Sequence, residues 1–337
     1  MSSIRKEKLN PELNLSPEDL ELFDAAWKIA REYHGEIFTF YLPGMVRYGK
    51  VRGRYPAISI TGDRCELQCE HCRGKLLEPM IHIRNREELI NIAQRFARQG
   101  AHGILLTGGS DSNGMLPWND YWDAIKTIKE KTSLFLSAHT GFPDYESCIL
   151  LKKAGLSQAL VDVMGDDITA KKIYHLHGLN RLTDSLEAIR QSGIAFVPHI
   201  VAGLYYGKIK AEFDALEIIR RYKPAALVIV VLTPLKGTPM AEVSPPSPVE
   251  IGRLIAKARL LMPEIPISLG CERPRNREGW LMERLAIRAG ATRMGVWSEE
   301  AIREAVSLGL KMRFQATCCS LEFTQEYSFS YDYAPYF

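Results

Sequence analysis

From Tyr55 to Ser298 the chain alternates short apolar runs with amphipathic stretches, and that alternation constrains its fold more than any other feature. The apolar runs read as strands: AISITG, GILLTGG, LFLSAHT, ALVDVMG, AFVPHIVAGL, ALVIVVLTPL, PISLG and TRMGVWS. Between them lie helix-period segments such as NREELINIAQRFARQG, KAEFDALEIIRRYK, PVEIGRLIAKARLLM and GWLMERLAIRAG, several closed by glycine or proline as a helix stop requires. Strands and helices in alternation build βα units round a parallel sheet. About eight such units predict an α/β fold, a (βα) barrel of TIM type, complete or partly open.

Residues 1–50 read as an N-terminal cap, with Ser16 as the N-cap of a helix over PEDLELFDAAWKIAREYHG and a turn at Pro43-Gly44. Residues 51–300 make the barrel. Residues 301–337 form a C-terminal extension with Cys318-Cys319 and an aromatic tail of Tyr327, Phe329, Tyr331, Tyr333, Tyr336 and Phe337. Packing over the barrel is the plainer expectation for that tail, and docking a partner the sharper one. The first thirty residues hold no apolar run like a signal-peptide core, and no uncharged stretch approaches a membrane span. A cytoplasmic protein that engages no membrane is therefore expected. The balance of 43 Lys+Arg against 40 Asp+Glu leaves +3, too little to predict a nucleic-acid groove.

In a βα barrel the chemistry sits at the C-terminal ends of the strands. The residues that close the apolar runs are therefore the candidates: Cys65, the turn Gly108-Gly109-Ser110-Asp111, His139, Asp162, Asp166, His199 and Cys271. Seven cysteines in a reducing compartment point to metal binding or thiol chemistry before disulfides. Cys65, Cys69 and Cys72, in TGDRCELQCEHCRGK, are spaced C-x3-C-x2-C. One loop of this length can wrap three irons of a [4Fe-4S] cubane and leave the fourth open, thiolates being the usual iron–sulfur ligands. A zinc knuckle or a chance cluster is the alternative, but zinc takes four ligands, usually as two separated pairs.

The loop resembles the fingerprint of the radical S-adenosylmethionine (SAM) superfamily. The resemblance implies a [4Fe-4S] cluster on Cys65, Cys69 and Cys72 with SAM chelating its open iron. In that family the residue before the last cysteine is normally aromatic and flanks the adenine; here it is His71. Gly108, Gly109 and Ser110 stand where the family's glycine-rich turn meets the methionyl amine of SAM, without its usual acidic residue. The run Ile200 to Leu204, with Gly203, resembles the later adenine-binding strand. Asp162 and Asp166 are candidates for ribose or substrate contacts, or else helix caps. His199 is either an oriented, catalytic contact or a satisfied barrel histidine.

From Ser59 to about Ser298 the chain is similar to biotin synthase, on LTPLKGTPMAE and on ARLLMPEIPISLGCERP with AIRAGATRMGVWS. That likeness implies an arginine against an auxiliary cluster, with Arg273 in the matching place as a catalytic candidate. The family's three auxiliary cysteines lie on earlier strands, and GILLTGG, LFLSAHT and FVPHIV contain none. Single-chain lipoyl synthase fits no better, because residues 1–64 lack cysteine.

The segments YLPGM, SITG, TGGSD and PHIVAGL, with the terminal Cys318-Cys319 pair, are similar to one component of the two-protein lipoyl synthase of archaea and some bacteria. This implies sulfur insertion into an octanoyl chain on a lipoyl carrier domain, with a second radical SAM protein and an electron donor as partners. Cys271, Cys318 and Cys319 would then hold a second, auxiliary cluster as the sulfide source. The plainer alternatives are a buried apolar thiol at Cys271, as expected for Cys148, and a redox switch or inert tail thiols at the pair. Two other functions stay open: a different radical reaction on a small molecule, with the second cluster as electron conduit or substrate anchor, and a non-catalytic iron–sulfur partner protein.

Overall fold

The computed structural model describes residues 15–44 and 46–331. Tyr333, Tyr336 and Phe337 of the aromatic tail lie outside them. Helix α1 (Pro17–His34) starts where Ser16 predicts: the Ser16 hydroxyl accepts from the Asp19 N–H at 3.2 Å, and the Asp19 carboxylate accepts from the Ser16 N–H. This reciprocal cap satisfies two of the donors a helix start leaves free. Its apolar face, Phe23, Ala26, Trp27 and Ala30, is buried.

Strand β1 (Ile37–Tyr41) follows, then a short antiparallel hairpin of β2 (Arg47–Tyr48) and β3 (Val51–Arg52). The βα series then runs through β4 (Ala57–Ser59), β5 (Ile81–His82), α2 (Arg86–Arg98), β6 (Gly103–Thr107), α3 (Trp122–Lys131), β7 (Phe135–His139) and α4 (Tyr145–Lys153). It continues with β8 (Gln158–Asp162), α5 (Asp167–Ile173), α6 (Asn180–Ser192), β9 (Ala195–Ala202), α7 (Glu212–Ile219), β10 (Leu227–Val231) and α8 (Pro248–Leu261). The last elements are β11 (Ile267–Leu269), α9 (Arg277–Arg288), β12 (Arg293–Gly295), α10 (Glu299–Ser307) and β13 (Lys311–Gln315).

Eleven strands join one sheet in the order β13-β1-β12-β11-β10-β9-β8-β7-β6-β4-β5, with parallel pairings throughout. The sheet curls into a partly open TIM-type barrel clad in helices. All eight apolar runs singled out in the sequence contribute a strand. The segment read as a cap does more than cap: Ile37–Tyr41 inserts between β12 and β13. Its IFTFY composition suits a strand, but no flanking βα pattern announces it.

The two edges, β13 and β5, do not pair with each other. The C-terminal segment runs along the seam between them. The Arg54 N–H donates to the Ala316 carbonyl at 2.9 Å, the Ala316 N–H donates to the Tyr327 carbonyl at 2.9 Å, and the Tyr327 ring lies 4.5 Å from that of His102. Tyr331 packs on Tyr48 and Phe314, so the described part of the tail takes the plainer of its two roles.

Because strand side chains alternate between faces, each barrel strand sends every second residue inward. Tyr41, Leu160, Val197 and Val228 form one interior layer, and Cys319 packs among them, carried inside by the chain after β13. Two residues further along their strands, Asp162, His199 and Val230 share that face. Among the described residues, no helix is long and apolar enough to cross a membrane.

Candidate active site

The loop after β4 carries Cys65, Cys69 and Cys72, all free thiols. Gln68 and Arg73 adopt left-handed backbone (φ 46° and 48°), an uncommon choice for non-glycine residues that turns the chain sharply on either side of Cys69-Cys72. Backbone bonds from the Cys72 and Arg73 N–H groups to the Cys69 carbonyl, at 3.2 and 2.9 Å, close the bend. Ligand atoms of Cys69, His71 and Cys72 come within 4.8 Å of one another. Cys65 lies outside that group, though near enough for its charge to bear on Cys69. The four side chains therefore do not close round one tetrahedral ion; thiols on separate corners of a cubane need no such closeness.

The donor chemistry fits the cluster. A hydrogen bond with Cys69 is the largest cause holding the Cys72 thiol down, to about 4, with His71 adding to it against burial; the same bond and burial push Cys69 up. Cys72 is thus the thiol of the pair that ionises first, and thiolates are what iron requires. Burial opposes protonation of His71, but contact with Cys72 and the charges of Cys72 and Asp162 outweigh it and raise the imidazole overall. The His71 Nδ1 is buried without a hydrogen-bond partner, a polar atom awaiting one.

The Gly108-Gly109-Ser110 turn is built against this loop. The Gly109 N–H donates to Thr61 Oγ1 at 2.7 Å, and the Ser110 carbonyl accepts from the Glu66 N–H at 2.8 Å. A Cβ on Gly109 would stand 2.0 Å from the Arg64 carbonyl oxygen and 2.5 Å from Cys65 Cα. Glycine is required there because the cysteine loop rests on it. Gly109→Ala should cost about 1–3 kcal/mol as an overpacked contact. Displacing Cys65 should also lower the iron retained after anaerobic reconstitution, read by metal analysis and visible absorbance; wild-type iron content in this variant would contradict the contact.

Asp162 ends β8 and accepts from the Tyr174 hydroxyl at 3.1 Å, while the Tyr174 ring lies 5.5 Å from His71. Asp162 therefore faces the loop through one buried phenol. Asp166 does not join it. It is the N-cap of α5, accepting from the Thr169 N–H at 2.7 Å, and its second oxygen pairs with Lys210. The structure commits Asp166 to a cap, the plainer of its two readings. Gly203 (φ 81°) occupies a turn where a Cβ would meet Pro246 at 2.4 Å, and its N–H donates to Glu212 at 2.7 Å. Glu212 escaped notice in the sequence. It is buried, accepts from the N–H groups of Gly203, Lys210 and Ala211, and holds the strand end of β9 against the start of α7. Tyr174 also carried no sequence signal, sitting at an ordinary helix end.

On another arc of the barrel the structure brings Cys271 near Cys318-Cys319. A Cβ built on Gly295 would lie 3.3 Å from Cys271 Cβ and 3.4 Å from Cys319 Sγ. Cys271 reaches solvent, yet burial first and the charge of Cys318 next push its thiol up to about 11. The bond from Cys319 is the largest cause bringing Cys318 down to about 6, with Ser320 adding to it against burial, and Cys319 is pushed up in turn.

Arg273 requires a correction. Its Nε and Nη2 donate to Glu283 at 3.2 and 2.6 Å, Nη1 donates to the carbonyls of Gly270 and Gly295, and Nη2 also donates to that of Val296. A guanidinium has five N–H donors, and all are used. Arg273 ties β11 to β12 as half of a buried ion pair and has no donor left for a cluster. Arg275, half-exposed, bonds the Cys271 carbonyl instead. Burial, then the charge of Arg273, lowers the Arg275 guanidinium to about 10.

Comparison with known proteins gives this geometry a family. Residues 59–211 match the model of the radical SAM superfamily. The chain is 24% identical to biotin synthase of Pelotomaculum thermopropionicum over 256 residues, 74% of each chain. It is 26% identical to that of Clostridioides difficile over 212 residues, 60% of this chain and 64% of the relative. Methylornithine synthase superposes with a TM-score of 0.62 at 16% identity, covering 90% of this chain and 92% of that one. The FeFe-hydrogenase maturase HydG from Carboxydothermus hydrogenoformans gives 0.65 at 15%, covering 89% and 73%. These structural likenesses establish the fold alone. The fold, the cysteine loop and the family match together define a radical SAM enzyme. Within that class the chain is biotin synthase-like.

Proposed function

We propose that this protein inserts sulfur into an unactivated C–H bond of an octanoyl chain on a lipoyl carrier domain, as one component of a two-protein lipoyl synthase. The observation that carries the reading is the placement of Cys271, Cys318 and Cys319 in the same barrel as the cysteine loop. Leu105 and Val197, on β6 and β9, line the barrel layer into which Cys319 packs, so the thiols missing from those strands arrive from the C-terminal segment. The biotin synthases that the chain resembles support sulfur chemistry of this kind.

In this mechanism Cys65, Cys69 and Cys72 would hold three irons, and the cluster with its SAM would supply a carbon-centred radical. His71, packed against Tyr174, would be the aromatic side chain beside the cofactor, and Asp162, which accepts from the Tyr174 hydroxyl, would be the nearby carboxylate. Leu160, Val197 and Val228 keep water from the reacting carbon, which limits quenching by other hydrogen donors. Cys271, Cys318 and Cys319 would hold the second cluster, whose sulfide is the reagent. An electron donor must reach the first cluster, and the half-exposed Cys65 and Cys72 mark the accessible side of its loop. The second radical SAM protein would serve the other of the two carbons that receive sulfur.

The test is anaerobic turnover of the reconstituted protein with reductant, SAM and an octanoylated carrier domain, followed by mass spectrometry. A sulfur-sized mass gain with 5′-deoxyadenosine is the expected result. 5′-Deoxyadenosine without sulfur transfer would favour a different radical reaction, and its absence would favour a non-catalytic partner.

A further inference from the structure

The seam between the two sheet edges holds a feature that the chemistry of the lumen does not use. Beside β13 the chain turns back on itself: the Ala316 N–H donates to the Tyr327 carbonyl at 2.9 Å, the Phe329 N–H donates to the Phe314 carbonyl at 3.1 Å, and Gln315 and Ser328 form an antiparallel bridge. That edge is covered. β5 pairs with β4 alone, and its other side is open. Between the covered edge and the open one lies a cleft of about 730 Å³. Ile81 of β5, Phe96 in the last turn of α2 and Phe329 of the tail supply its apolar wall, and Lys50, Arg52 and Arg54, on and just after the β2–β3 hairpin, line the rest.

Positive charge is concentrated on this face. Arg47, Lys50, Arg52 and Arg54 fall within eight residues of sequence, and Arg95 and Arg98 stand at the end of the helix that supplies Phe96. All six are exposed, and among the described residues none makes an ion pair or a side-chain hydrogen bond; Arg95 rests over the Phe96 ring at 5.8 Å. No carboxylate is among the residues that line the cleft, and Glu78, next to the lining residue Pro79, lies 3.8 Å from Lys75. Six cations in a chain whose net charge is only +3 leave the remainder net acidic, so the asymmetry is local. Like charges held together repel, a cost that an acidic partner removes.

An open strand edge presents backbone N–H and C=O groups to whatever lies beside it, and a strand added there alternates its side chains between two faces. One face of such a strand would meet Ile81, Phe96 and Phe329, and the other would meet the cations. We propose that the seam cleft docks an extended segment of a partner protein, one in which acidic and apolar residues alternate, as a strand added to β5. A nucleic acid matches the charge but neither the open edge nor the apolar wall. Because β5 is the neighbour of β4, whose end leads into the cysteine loop, the partner is held on the flank of the barrel that carries that loop. None of the interior-layer residues lines the cleft, so the proposal stands whatever substrate the lumen takes.

The experiment follows the fluorescence anisotropy of a labelled peptide of alternating glutamate and valine mixed with the reconstituted protein. The comparators are the same peptide N-methylated along one backbone edge, a lysine–valine peptide and an oligonucleotide of equal charge; the proteins are wild type and the double variant Lys50→Glu, Arg52→Glu. The glutamate–valine peptide should bind wild type with an affinity that falls as salt is raised, and should lose about tenfold in Kd in the double variant. N-methylation should cost at least as much, and the lysine–valine peptide should not bind. Far-ultraviolet circular dichroism and iron content of the two proteins should match, and the N-methylated peptide tests the edge on wild type alone, whatever the variant does to folding. No binding to wild type, or equal binding to both proteins, overturns the proposal. Binding that survives N-methylation, or an oligonucleotide bound as tightly as the peptide, makes the cleft a general anion surface and overturns it as well.

Discussion

Replacing Cys65, Cys69 and Cys72 together by alanine will halve the iron and sulfide bound after anaerobic reconstitution and reduce 5′-deoxyadenosine formation to background. The two effects have one cause, because these thiols are the only protein ligands proposed for the SAM-binding cluster. Folding should survive. Truncating a thiol forfeits about 1 kcal/mol of burial per side chain at most, and two of the three are only half-buried. Far-ultraviolet circular dichroism and thermal melting of the variant should therefore stay close to wild type. Iron falling by half with the fold intact would show two separate clusters. Unchanged iron, or SAM cleavage that persists, would remove the radical mechanism.

The barrel was legible because it depends on a repeated pattern: eight apolar runs bounded by turn residues yielded eight strands, from β4 to β12. What the pattern lacked, the reading lacked. Strand β1 lies between a helix and the separate β2–β3 hairpin in sequence, and only the tertiary structure places it between β12 and β13. The cysteine loop was readable because ligand spacing is local. Contacts across the lumen were not. Arg273 could be placed at a strand end from sequence, but its five hydrogen bonds depend on Glu283, a helix residue ten positions away, and on three carbonyls, two of which belong to the next strand and the turn after it. Asp162 and Asp166 look alike in ALVDVMGDD. The strand's alternation turns the first inward, while the second starts a helix and spends its oxygens there.

The second large effect is expected at the C-terminal thiols. Cys318→Ala and Cys271→Ala should each abolish sulfur transfer to the octanoyl chain while leaving 5′-deoxyadenosine formation within about twofold of wild type. The separation follows from position: Cys271 follows β11 and Cys319 is buried in the interior layer with Leu160, Val197 and Val228, whereas the SAM-binding loop follows β4. Among the described residues no hydrogen bond joins the two groups directly; Cys318 is tied to Cys319 and Ser320, and Cys72 to Cys69 and His71. A sulfide source should therefore be removable without disturbing the radical source. An electron conduit behaves differently, since every electron for SAM cleavage would pass through it. Slower 5′-deoxyadenosine formation in either variant, with sulfur transfer falling only in proportion, would assign the thiols to electron delivery. Sulfur transfer at the wild-type rate in Cys318→Ala would leave the pair without a part in the chemistry. Iron analysis keeps the result clear of misfolding: each variant should retain the iron of one cluster, held by Cys65, Cys69 and Cys72.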